Sequence, residues 1–149
     1  MGPNQDITVL NTLINTVNDS IRGYEESAND VKSDRIAEMF REGARERREV
    51  LTQLQSAVTS MGGTPENDGS TLGALHQTFL KVKEAITGSS DDAIVNEVER
   101  GEDYIKEKFE TALKNDDLTP QARQVITQAY STIQRGHDRA RDLKHALQA

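Results

Sequence analysis

The chain has 149 residues, 18 Lys+Arg against 25 Asp+Glu, a formal net charge of −7 and no cysteine. A single domain of this length buries about two-thirds of its unfolded surface, and without thiols it has no disulfide framework, thiolate nucleophile or Cys-ligated zinc or iron–sulfur centre. The acidic balance argues against nucleic acid or an anionic membrane as partner.

No window approaches the roughly 20 apolar residues of a membrane span. Met1-Gly2-Pro3-Asn4-Gln5-Asp6 lacks the basic and apolar regions of a signal peptide, so the expectation is a soluble, cytoplasmic protein.

Apolar residues recur at helical spacing almost throughout. Leu10, Ile14, Val17, Ile21, Tyr24 and Ala28 follow Ile7 in steps of three and four, predicting an amphipathic helix of about seven turns. Asn29-Asp30 and Ser33-Asp34 supply turn and N-cap chemistry. A second face runs through Ile36, Phe40, Ala44, Val50, Leu54, Val58 and Met61, and Gly62-Gly63 stops it. Beyond the polar stretch Gly62–Thr71, the residues Leu72, Leu75, Phe79, Val82 and Ile86 predict a short helix over Leu72–Thr87.

Gly88-Ser89-Ser90-Asp91-Asp92 opens the next helix, with acids at the positive end of its peptide dipoles. Its inward face reads Ile94, Val98, Glu102, Ile105, Phe109 and Ala112. Thr119 is the expected cap of the last helix, and Pro120 suits its first position, where a missing N–H costs nothing. That helix turns Ala122, Ile126, Ala129, Ile133, His137 and Ala140 inward. There is no sustained two-residue alternation to indicate strands. The expectation is all-α: one domain over residues 1–149, an antiparallel bundle of four long helices plus one short crossover helix.

Polar residues on these inward stripes carry the functional information, because burying an unpaired charge is expensive. At about 100° per residue, Glu25 lies within about 40° of the centre of the first apolar face, and Glu102 and His137 are similarly placed on theirs. Glu46 lies at the edge of the second face, and Arg47 near its centre. At about 1.5 Å per residue these groups share one layer roughly 10 Å thick, provided that the crossover returns the chain along the bundle.

One long crossover between the second and third long helices is the arrangement of ferritin-like proteins. Ile7-Thr8-Val9-Leu10-Asn11, Ile21-Arg22-Gly23-Tyr24, Met61-Gly62-Gly63-Thr64-Pro65, Asn96-Glu97-Val98-Glu99-Arg100-Gly101-Glu102-Asp103 and Gly136-His137-Asp138 resemble segments of an uncharacterised bacterial family of ferritin-like four-helix bundles. The superfamily's carboxylate-bridged site takes a Glu from the first and third long helices and Glu-x-x-His from the second and fourth. The resemblance implies Glu25, Glu46, Glu102 and His137 as metal ligands, with Glu49 standing where a histidine is usual and Gln134 where a glutamate is usual. Glu42 and Glu99 substitute if the levels shift by a turn. Iron, or else manganese or zinc, suits such a donor set. The implied role is iron handling or stress protection. Two replaced ligands leave ferroxidase turnover without support.

The same residues equally support a metal-free reading. Arg47 is a poor neighbour for a cation and a good one for Glu25 and Glu102, so a buried ion-pair network closed by His137 would hold the bundle. The outer surface would then act as a binding or scaffold module, alone or as a small homo-oligomer. Tyr24 and Tyr130 are expected to be inward tyrosines with satisfied hydroxyls, and His76 and His145 ordinary half-exposed histidines. Arg41, Arg45, Arg47 and Arg48 alternate with Glu42, Glu46 and Glu49, which predicts a salt-bridged helix surface and not a nucleic-acid site.

Overall fold

A computed structural model describes residues 3–66 and 90–148. They form four helices: α1 (Pro3–Asp30), α2 (Asp34–Ser60), α3 (Asp91–Leu113) and α4 (Pro120–Gln148). All regular structure among the described residues is helical, and no helix among them is long and apolar enough to cross a membrane. The expected short helix at Leu72–Thr87, with His76, lies outside the described residues.

Local chemistry sets the helix ends. The Ile36 amide donates to the Ser33 hydroxyl at 3.3 Å to start α2. Gly62, at φ +85°, ends it in the left-handed conformation that only glycine adopts cheaply. Gly63 and Gly62 then donate to the carbonyls of Val58 and Thr59, both at 3.0 Å, which closes a Schellman turn. Thr119 accepts from the Ala122 amide at 3.3 Å, so it caps α4 as its sequence predicts.

Three tertiary ties establish the topology. The Asp91 carboxylate accepts the Lys32 and Ser33 amides at 2.8 and 3.0 Å, holding the start of α3 at the α1–α2 turn. Buried Asp6 accepts the Thr119 amide at 3.1 Å and its hydroxyl at 2.5 Å, joining the starts of α1 and α4. Asn11 donates to the Thr64 carbonyl at 3.2 Å and accepts the Glu66 amide at 2.9 Å, so the chain leaves α2 beside the start of α1. It therefore exits α2 at one end of the bundle and enters α3 at the other. α2 and α3 run parallel across one diagonal, α1 and α4 across the other. The four neighbouring pairs, α1–α2, α3–α4, α1–α3 and α2–α4, are antiparallel.

The core is divided in two. Toward the start of α1, Leu10, Ile14, Val17, Val50, Leu54, Phe109 and Ile126 form one apolar cluster. Toward the α1–α2 turn, Tyr24, Phe40, Ala44, Val95, Val98 and Ala140 form another. The boundary falls between Ala44 and Val50 on α2, Val98 and Ile105 on α3, and Ile133 and Ala140 on α4. That is the layer in which the sequence places its inward charges.

Candidate metal centre and the buried ion pair

On α2 the inward stripe passes through Arg47, which is only 1% exposed. A guanidinium there needs a planar carboxylate partner, and α3 provides Glu102, 2% exposed. Nη1 donates to Oε1 at 2.8 Å and Nη2 to Oε2 at 2.5 Å, a bidentate pair across the bundle diagonal. Nη1 also donates to Ser20 Oγ at 2.8 Å. The guanidinium lies 5.6 Å from the centroid of the Tyr24 ring, so its charge also meets an aromatic face.

Burial opposes the Arg47 charge, but the Glu102 charge and hydrogen bond together with Tyr24 and Glu46 outweigh it, and the guanidinium pKa stays above its ordinary value. Burial, then the Glu102 charge and a hydrogen bond to it, push the Tyr24 phenol well up. Two glycines make room. A Cβ at Gly136 would collide with Arg47 Nη2 and stand 3.1 Å from Glu102 Oε2. A Cβ at Gly43 would stand 2.8 Å from the Tyr24 ring.

The other carboxylates expected as ligands lie outside this pair. Glu46 is half-buried and forms a two-point pair with Arg139 of α4, with one bond at 2.8 Å. Chiefly through the Arg139 hydrogen bond, its carboxyl is held below the usual range. Glu25 is exposed and bonded to Arg48. Glu49 is exposed. Glu25, Glu46 and Glu102 are thus each engaged by a different arginine. On α2, Arg45 pairs with Glu42 and Glu38, and Arg41 with Glu38, so this stretch is the expected salt-bridged surface with Arg47 as its buried member. Tyr130 donates to Glu110 at 2.6 Å, which raises its phenol to about 12, and His145 is exposed.

His137 faces α3 and is 9% exposed. Its Nε2 lies 2.5 Å from Asp103 Oδ1, and its Nδ1 lies 3.4 Å from Asp138 Oδ1. Glu99 stands one turn before Asp103 on the same face of α3. One ligand atom from each of Glu99, Asp103 and His137 falls within 4.8 Å of the others. Among the described residues this is the group of His and acidic side chains able to share an ion. The structure therefore brings His137 together with Glu99 and Asp103, and not with Glu25, Glu46, Glu49 or Glu102.

Lys144 donates to Glu99 Oε1 at 3.1 Å. The helical phase of the sequence offers Glu99 only as a substitute ligand and passes over Asp103, which lies about 100° round the helix from Glu102. The signal that points to both is a Glu99/Asp103 spacing of four facing a histidine on the next helix.

The chain belongs to the family described as Domain of unknown function (DUF2383), whose profile matches residues 5–115. That span holds α1, α2 and α3 with Arg47, Glu99, Glu102 and Asp103, whereas His137 and Lys144 lie on α4 beyond it. None of the curated proteins matches the chain.

Proposed function

We propose that this member of DUF2383 is a ferritin-like bundle that binds one divalent metal ion in the groove between α3 and α4. The parallel second and third helices, joined end to opposite end, support the ferritin-like assignment. The convergence of Glu99, Asp103 and His137 within 4.8 Å is the observation that carries the metal reading.

The donor set fits. Two carboxylates balance a divalent charge, and a neutral imidazole nitrogen completes a set suited to iron, manganese or zinc. Asp138 faces the second ring nitrogen of His137, the position from which a carboxylate orients a ligating histidine. The bond between Nε2 and Asp103 must open to admit an ion, since two donors at about 2.1 Å from one centre lie more than about 3 Å apart. Half-exposed Asp103 has the freedom to do so. Three protein ligands leave coordination positions to water, which suits exchange more than a closed structural site. The role proposed with this site is iron handling or stress protection, with iron the first expectation.

In the interior layer, by contrast, Glu102 is already engaged: Arg47 occupies the ground between Ser20 and Glu102. This favours one second reading, a metal-free scaffold held by that ion pair.

Elemental analysis of protein purified without chelator, followed by Mn²⁺ and Zn²⁺ titration calorimetry, separates the two readings. His137→Ala and Asp103→Ala should weaken binding by about tenfold or more with the helical spectrum unchanged, and Glu102→Gln should leave affinity intact. Protein free of Fe, Mn and Zn, whose melting temperature none of these ions raises, would leave the scaffold reading standing.

A further inference from the structure

The groove already holds a cation of its own. Lys144 lies seven residues beyond His137 on α4, two helical turns away and therefore on the same face. α3 and α4 are antiparallel, so the two helices present a ladder in which His137 meets Asp103 and Lys144 meets Glu99. Glu99 is the more enclosed of the second pair, its side chain 12% exposed against 30% for Lys144. Its carboxylate is thus largely withdrawn from water and answered by an ammonium 3.1 Å away.

We infer that Lys144 is an intramolecular competitor for the metal position: it neutralises Glu99 in the ion-free protein and is displaced when a divalent ion enters. The inference rests on the metal reading above. An ion must recover the Glu99–Lys144 contact as well as its own dehydration, so apparent affinity is the intrinsic affinity multiplied by the fraction of molecules in which Glu99 is free. A monovalent ion offers Glu99 no more charge than the ammonium does and gives up a directed hydrogen bond. A divalent ion gains Glu99 and Asp103 together. Lys144 thereby sets selectivity for divalent over monovalent cations, and binding is coupled to release of a side chain near the end of α4.

The experiment is Zn²⁺ and Mn²⁺ titration calorimetry on the full chain, carried out on the wild type, Lys144→Met and Lys144→Arg, with melting temperatures as the folding control. Lys144→Gln is the reserve variant should the methionine protein misfold. The expected result is about tenfold tighter binding by Lys144→Met and wild-type or weaker binding by Lys144→Arg. A steeper loss of affinity with added KCl should accompany the methionine variant, because its Glu99 stands open to K⁺. Binding by Lys144→Met alone would overturn the metal reading for the wild-type protein and show Lys144 as the group that blocks the position. Equal affinity in wild type and Lys144→Met would overturn the competitor and leave the metal reading intact. No binding by any of these proteins would overturn both.

Discussion

Arg47 and Glu102 compensate each other at a desolvation cost neither could bear alone. Removing one partner leaves a buried charge, so Arg47→Ala should lower unfolding free energy by about 3–5 kcal/mol. Replacing both with apolar side chains of similar length, Arg47→Met with Glu102→Leu, should restore stability to within about 1 kcal/mol of wild type, or exceed it. Urea unfolding of the three proteins measures the difference. Asp19 presents the opposite case: both its oxygens are buried without a hydrogen-bond partner, and burial, opposed by Arg22, raises its carboxyl to about 7. A raised carboxyl stabilises the fold below its ordinary value of 3.8 and loses that contribution as pH rises through 7. Asp19→Asn should therefore be more stable at pH 8 by about 1–2 kcal/mol, allowing for its partial exposure, with a flatter stability profile between pH 4 and 7. The inward direction of Arg47, Glu102 and His137 was legible from helical phase alone. Glu25 was not, because adjacent Tyr24 takes the buried position against Gly43 and turns Glu25 out to Arg48. One residue of phase, about 100°, separates a core position from a surface one.

The helices were legible at their ends as well as along their faces, since Ser33, Gly62, Thr119 and Pro120 each carry local chemistry that needs no tertiary partner. Asp91 and Asp6 differ. Their acids sit in first turns as dipole arguments predict, but the structure uses them to tie one element to another, and no local pattern indicates that. Interior glycines test how closely the elements pack. A Cβ at Gly101 on α3 would meet nothing within 4 Å, so Gly101→Ala should stabilise by about 1 kcal/mol through helix propensity. Gly136 on α4 faces the Arg47–Glu102 pair, so Gly136→Ala should instead destabilise by about 1–3 kcal/mol through overpacking. Thermal melts of the two variants should move in opposite directions.

At the scale of the bundle, the chain's up–down–down–up course follows from three hydrogen-bonded ties at its ends, while the charged layer falls between two apolar clusters that are unequal in size among the described residues. The sequence disclosed the layer, because levels follow from rise per residue, but not which charges meet within it, because that depends on how each helix is rolled against its neighbours. Such a partition makes a protein yield in parts. The smaller cluster and the groove of Glu99, His137 and Lys144 occupy the same end, so this half should act as the weaker cooperative unit. Native-state hydrogen exchange should find amides around Phe40 and Val95 less protected than those around Leu54 and Phe109. Saturating Zn²⁺ should slow exchange at the first pair selectively, the ion acting as a clasp on the half that breathes.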